Sequence, residues 1–299
     1  MSQFRHGWEI KRHPERVVVL GASGFIGKTL CRSLKQENVH FLPLGRDAID
    51  LTARGADEKL ALLLKPTDAL VFLSTITPDK GRGIDAFVQN IHMAENVCKA
   101  LSKTPPAHLI YLSSDTAYPI HRGLISEESP TDPENLFGVM HLARESMLRS
   151  STSAATALLR STLVYGAEDT HNSYGPNRLR RMAQKEGKMT LFGGGEESRD
   201  HILVTDVAAL ILQTLVHRSS GVLNACTGQS ISYIHLAQKI AALFDHPIDI
   251  LCTPRNNPIT HRHFDVSLIY KAFPSFSFTP LEEGLKITHK EEFAQPMRK

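Results

Sequence analysis

Val17-Val18-Val19-Leu20-Gly21-Ala22-Ser23-Gly24-Phe25-Ile26-Gly27 decides the fold: an apolar, β-branched run enters three glycines spaced G-x-x-G-x-x-G, and an amphipathic pattern follows from Phe25 to Leu34. The first glycine permits a sharp reversal after the strand, the second lets backbone N–H groups approach an anion, and the third lets helix and strand pack closely. Such a turn seats a pyrophosphate on a helix N-terminus. The same spacing also serves as a purely structural turn. A strand before it and a helix after it are the context that a dinucleotide site requires.

Working outward, strands and helices alternate, the pattern of a Rossmann-type α/β fold with a doubly wound parallel sheet. Strands are predicted over 39–44, 69–73, 108–112 and 156–164, and helices over 57–64, 84–101 and 134–149. From Gly166 to Gly195 the chain is rich in Gly, Asn, Pro and Arg, which predicts a smaller lobe over the open edge of the sheet. The expected organisation is a leader over 1–16, a dinucleotide-binding domain over 17–165, and a mainly substrate-binding lobe over 166–299. Some segments of that lobe are expected to return to the main sheet. Ligands of such folds bind at the carboxyl ends of the strands, here between the lobes.

The 299 residues suffice for an α/β core and a second lobe, and 41% hydrophobic with 22% charged residues excludes disordered and fibrous classes. A net charge of +3 spread along the chain gives no reason to expect a nucleic-acid partner. Cys31, Cys98, Cys226 and Cys252 form no C-x-x-C pair and read as buried thiols of a reducing compartment. The leader carries Arg5, Lys11, Arg12 and Arg16 without an apolar h-region, and no apolar run reaches membrane-spanning length. A cytoplasmic protein with no membrane partner and no metal site is expected. With Phe4, Trp8 and Ile10, the leader is either a disordered tail or an arm packed on the fold; the tail is the first expectation.

Further motifs follow in order: Ser113-Ser114-Asp115-Thr116-Ala117-Tyr118 after the fourth strand, Pro133-Glu134-Asn135-Leu136-Phe137-Gly138 before a helix, Arg160 through Tyr165-Gly166, Phe192-Gly193-Gly194-Gly195, and Arg199-Asp200-His201-Ile202-Leu203-Val204-Thr205-Asp206. Together with the glycine turn, from Val17 to about Ile287, they resemble the extended short-chain dehydrogenases/reductases, the NAD(P)-dependent group of nucleotide-sugar epimerases, dehydratases and reductases. The resemblance implies a nucleotide-sugar substrate. It also implies cofactor contacts at Gly21, Ser23, Gly24, Phe25, Ile26, Gly27, Arg46, Asp50, Leu51, Leu73, Ser74 and His141, and substrate contacts at Ser114, Asn172, Arg199 and Arg262. Arg199 and Arg262 match the family's diphosphate-gripping arginines; as an alternative they are surface ion pairs with Asp200 and Asp265. The family's helices around 84–101 and 134–149 often pair two copies into a homodimer.

The departure lies where the chemistry belongs. The family carries Y-x-x-x-K on the helix after the fourth strand, with the Tyr exchanging a proton and the Lys holding the ribose and lowering the Tyr pKa. Here those positions are Phe137 and His141. A phenyl ring has no ionisable proton, so acid–base work passes to Ser114, Asp115 and His141, the last expected to titrate near neutrality. Asp115 and Thr116 also read as turn caps, and Tyr118 as either an acid or a core residue with a satisfied hydroxyl.

Cofactor choice is read at the end of the second strand, where NAD sites place a carboxylate on the ribose diol. The strand instead runs into Gly45-Arg46, and a guanidinium there suits a 2′-phosphate. NADP is favoured over NAD; the alternative leaves Arg46 solvated and gives the diol to Asp47. Two functions are compatible with these features: an oxidoreductase or epimerase with an atypical site, or a non-catalytic dinucleotide-binding regulatory protein.

Overall fold

A computed structural model describes residues 4–120, 123–172 and 175–294. β1 (Val17–Leu20), α1 (Phe25–Gln36), β2 (Phe41–Leu44), α2 (Ala56–Leu63), β3 (Ala69–Phe72), α3 (Ile84–Lys103) and β4 (His108–Ser114) alternate along the chain. A short β5 (Leu124–Ile125) precedes α4 (Leu136–Ser151) and β6 (Ala155–Ser161). Then come β7 (Leu163–Tyr165), α5 (Pro176–Glu186), β8 (Lys188–Phe192), β9 (Ser198–Arg199), β10 (His201–Leu203), α6 (Val204–Val216) and β11 (Gly221–Ala225). The chain ends through β12 (Ile231–Ser232), α7 (Tyr233–Ala241), β13 (Asp249–Thr253), β14 (His263–Phe264), α8 (Ser267–Ala272) and α9 (Leu281–Ala294).

Six strands form one parallel sheet in the order β2-β1-β3-β4-β6-β11. Successive residues point to opposite faces of a strand, so a parallel strand covered on both sides must be apolar throughout. Val17 and Val19 of β1 join Val71, Ile110, Leu159 and Leu223 under α1 and α6. Val18 and Leu20 join Leu70, Phe72, Tyr111 and Leu158 under α2, α3 and α4. Strand order reverses between β1 and β3, which opens a crevice at their carboxyl ends. There Gly21 follows β1 at φ 88°, and a side chain on it would run into the Ser74 backbone, 2.9 Å away.

The continuous strand expected over 156–164 is two strands. The break falls at Thr162, whose N–H still donates to the Ala225 carbonyl at 3.1 Å while its Oγ1 donates to the buried Asp200 Oδ1 at 2.9 Å. Beyond the break β7 pairs with β10 in a separate ribbon. This start of the second lobe packs around Tyr165, Leu179, Leu191, Leu203, Tyr233 and Leu285. α6 and β11 return to the main sheet. The expectation of buried thiols is met at Cys226 and not at the exposed Cys252.

The leader, from residue 4, is not a tail. Phe4 is buried and meets Phe273 edge-on, Arg5 bridges Ser220 beside β11, and His6 bonds the Ser219 hydroxyl and the Ala272 carbonyl, each at 2.8 Å. Burying one large apolar ring stabilises by about 1.5–3 kcal/mol, enough to hold a short arm whose backbone groups also find partners. Arg16 closes it with a bidentate grip on the buried Asp68.

Candidate functional site

The glycine turn is built to receive an anion. α1 starts at Gly24 with no side-chain cap and no acidic residue in its first turn, so its leading N–H groups face outward with the positive end of the helix dipole. A side chain on Gly27 would fall within the radius of the Gly21 carbonyl oxygen and so could not be accommodated, whereas one on Gly24 would approach only that oxygen, at 3.2 Å. Ser23 and Gly24 are exposed. A pyrophosphate fits this cradle. The Phe25 ring packs where Gly166 leaves room for it, fixing the turn against the first residue after β7.

The rest of the expected cofactor wall is mixed. Leu73 and Ser74 stand at the tip of β3 behind the turn. Leu51 does not present its side chain: it is buried in the core, and its carbonyl accepts from Asn96 at 2.9 Å. Arg46 is 81% exposed and reaches Asp50 Oδ2 at 3.3 Å. Asp50 is held chiefly by Thr52, whose hydroxyl and N–H both donate to Oδ1 and lower its pKa, with Arg46 a smaller contribution.

α4 presents the divergent residues. Asn135 caps it by accepting from the Gly138 N–H at 3.0 Å, and at Gly138 there is no room for a side chain against the Thr116 carbonyl. Close approach to the turn after β4 follows. Glu145 anchors the helix to the sheet through Arg160 and Ser113, all three buried. His141 is buried with its Nδ1 2.7 Å from the Tyr111 hydroxyl, and the Phe137 ring meets it edge-on at 4.6 Å.

The expectation that His141 titrates near neutrality fails. Burial, assisted by the charge of Arg144, lowers its pKa to about 3, so the ring is neutral. The unfolded chain takes up this proton first, so the contribution to stability is complete above the unfolded value near 6.5 and is lost as pH falls toward 3. The ring resonances of His141 are therefore expected not to shift between about pH 5 and 8 in a nuclear magnetic resonance titration; a midpoint near 6.5 would contradict this placement.

Two participants were missed in the sequence. The hydroxyl of Tyr111, its pKa pushed up to about 12 by burial, reaches His141. Arg144 is fully buried without a carboxylate partner among the described residues, and donates to the carbonyls of Asn90 and Ser74 and to Thr75 Oγ1 at 2.9, 3.0 and 3.2 Å. Its guanidinium lies 4.8 Å from the Phe72 ring centroid. The spacing 137, 141, 144 shares one helix face and was the legible signal for Arg144. A cavity of about 370 Å³ beside Phe137, lined also by Ile76, Phe87, Thr116 and Met140, had no such signal.

At the tip of β4, Ser114 Oγ lies 3.4 Å from Asp115 Oδ1 and accepts from the N–H and hydroxyl of Thr116. Asp115 is nearly buried, and desolvation raises its pKa while Arg262 and Arg199 oppose the rise. Arg262 pairs with Asp115 at 3.5 Å, not with Asp265, and donates to the carbonyls of Asp115 and Tyr118. It is buried and committed to that tip. Arg199 bonds Thr260 and lies 3.8 Å from Glu197 rather than pairing with Asp200; it keeps 17% of its side chain exposed. Tyr118 is core, its hydroxyl donating to Asn224 Oδ1 at 2.8 Å, and leaves the set of candidate acids. Asn172 is exposed at φ 47°, its side-chain oxygen accepting from Arg181, and Ser173 and Tyr174 of the same loop lie outside the described residues. His171, beside it, pairs with Asp79, linking this loop to the one after β3.

The profile of the NAD dependent epimerase/dehydratase family matches residues 17–226. The N-acetyl-α-D-glucosaminyl-diphospho-ditrans,octacis-undecaprenol 4-epimerase of Escherichia coli O157:H7 is 25% identical over 69% of this chain and 65% of its own length, just under two thirds. A structure of MoeE5 in complex with UDP-glucose and NAD is similar, with a TM-score of 0.78 and 21% identity, covering 92% of this chain and 97% of that one. A GDP-L-fucose synthetase from Naegleria fowleri bound to NADP matches with a TM-score of 0.81 and 18% identity, covering 97% and 99%.

Proposed function

The chain belongs to the NAD dependent epimerase/dehydratase family, and from that premise we propose that it is an NAD(P)-dependent oxidoreductase or epimerase acting on a nucleotide-linked sugar through an atypical proton route. The observation that carries this reading is the Ser114–Asp115 pair at the tip of β4, kept nearly buried and flanked by two arginines of the second lobe. A carboxyl next to a hydroxyl at the carboxyl end of a sheet strand, with its pKa raised by desolvation, is a group suited to moving a proton.

In this reading a nicotinamide dinucleotide held at the turn of Gly21, Gly24 and Gly27 would supply hydride transfer to or from the sugar. Ser114 Oγ would bond the substrate oxygen, passing its own proton to Asp115 as it takes the substrate's, or the reverse, over the 3.4 Å separation between Ser114 Oγ and Asp115 Oδ1. Desolvation that raises the Asp115 pKa moves the carboxyl toward the range useful for acid–base work. His141, neutral, offers a hydrogen bond to a ribose hydroxyl while Tyr111 fixes its ring. Arg199 holds the diphosphate, since it keeps donors near the cleft, whereas Arg262 serves Asp115. The apolar cavity beside Phe137 admits part of the sugar. Exposed Ile84 and Val88 on α3 and Val139 on α4 support pairing of two copies.

Both NAD and NADP occur in the similar structures, so preference rests on Arg46. It is free to turn toward a 2′-phosphate because its contact with Asp50 is solvent-exposed and weak, at most about 1 kcal/mol. NADP is expected to bind more tightly, and Arg46→Ala to bring the two affinities together in calorimetry. Equal affinities in the unmodified protein would return the ribose to Asp47.

The test of function is a panel of nucleotide sugars with protein and dinucleotide, followed by absorbance of the reduced nicotinamide and by chromatography of the sugars. Conversion of one sugar is expected. No conversion of any, with dinucleotide binding intact, would favour the regulatory reading suggested by Phe137.

Among the described residues no helix is long and apolar enough to cross a membrane.

A further inference from the structure

The dinucleotide crevice lies at the carboxyl ends of the parallel strands; a separate cavity of about 610 Å³ lies at their amino ends, behind β6 and β11. Its charged lining is wholly cationic: Arg5, Arg149 and Arg218, with His6 beside them and no acidic side chain. Thr152, Ser153, Thr156 and Ser220 add hydroxyl groups.

The leader builds one wall. Arg5 and Ser220 exchange backbone hydrogen bonds at 2.9 and 2.8 Å, so alternation along this extended segment turns Phe4 and His6 toward Phe273 and Ala272, and Arg5 the other way. Arg5 and Arg149 are exposed, and neither side chain has an ion pair or hydrogen-bond partner among the described residues. Arg218 is held in place by donating Nε and Nη2 to the Ala107 carbonyl. The arm itself is fixed by the burial of Phe4 and by the bonds of His6, so the backbone that carries Arg5 is in place beside the cavity before any ligand arrives.

Like charges gathered in one concavity repel, and an anion relieves that repulsion. One effect opposes: Arg149 lies in the last turn of α4, and Thr152 caps its carboxyl end, where the helix dipole contributes about half a negative charge. Three guanidinium groups outweigh it. The volume falls within the range of small-molecule pockets and exceeds what a single phosphate fills.

We propose that this rear cavity is a second ligand site, binding a small molecule that carries two or more linked phosphate groups, with Arg5 and Arg149 as its principal contacts. Guanidinium groups bind phosphate oxygens bidentately, and the site is independent of the dinucleotide turn and of the reaction proposed above.

The probes are inorganic triphosphate and adenosine triphosphate, titrated calorimetrically into the full chain at low salt. In the Gly24→Val background, which closes the dinucleotide turn to phosphate, one-to-one binding is expected, weakened about tenfold or more by Arg149→Glu and by Arg5→Glu and weakened by added salt. Thermal melting of the two charge-reversal variants checks their fold, and the milder Arg149→Gln should give a smaller loss in the same direction. A preference between the probes identifies whether a free polyphosphate or a nucleotide is the natural occupant, and either preference supports the site. Binding that survives both substitutions, or disappears in Gly24→Val, overturns the proposal. So does an equal response to inorganic phosphate, or tighter binding of a single-stranded oligonucleotide, since each would mark a generic basic surface.

Discussion

A saturating nicotinamide dinucleotide is expected to stabilise the protein by about 2.7 kcal/mol at a hundredfold excess over its Kd, and Gly24→Val to abolish that gain. The choice of glycine matters. A side chain at Gly24 approaches only the Gly21 carbonyl, at 3.2 Å, and its backbone lies in an extended conformation open to any residue. The fold should therefore survive while the path of the pyrophosphate to the helix N-terminus is blocked. Gly27 is different. Even a methyl there collides with the Gly21 carbonyl and the Ala22 backbone, so Gly27→Ala would lower stability with or without ligand and would say nothing about binding. Thermal melting with and without dinucleotide separates the two cases. Absence of any shift in the unmodified protein with NAD and with NADP would remove the dinucleotide from the reading altogether.

The second large effect concerns the proton. Asp115→Asn is expected to lower turnover by about a hundredfold or more, the usual scale of acid–base assistance, with a smaller change in KM. Arg262 keeps its bonds to the carbonyls of Asp115 and Tyr118 in that variant, so the β4 tip should retain its shape. The decisive companion is the double change Phe137→Tyr with His141→Lys, which restores the family's pair in sequence but not in surroundings. A lysine at 141 would be buried near Arg144, whose charge already helps push the His141 pKa down to about 3. Burial and a neighbouring cation both favour the neutral amine, and a neutral amine cannot lower the pKa of a tyrosine. Turnover no higher than that of the parent is expected. A large gain over an inactive parent would show instead that the natural chain is a non-catalytic dinucleotide-binding protein.

The stretch Val17 to Gly27 determined the fold class and the position of the phosphate turn, because both follow from local rules: strand periodicity, and glycines where no side chain fits. The order of the later motifs was equally legible, and it placed Ser114, Asp115, Phe137 and His141 near one another. What the side chains do there depended on partners distant in sequence. Arg262 is 147 residues from Asp115, and only folding shows that it holds the β4 tip rather than standing free in the cleft. His141 carries an ordinary imidazole in sequence; its protonation is set by burial and by Arg144 together, and neither the depth of a site nor its dielectric is written in spacing. The strand ends at Ser161 although its composition supports a longer run, and there Thr162 bonds a carboxylate 38 residues away that the sequence does not bring near it. The leader's composition did not decide between tail and arm; a complementary surface of Phe273, Ser219 and Ala272 did. Local geometry is encoded where residues are neighbours in the chain, and the electrostatics of a site arise only where distant segments exclude water together.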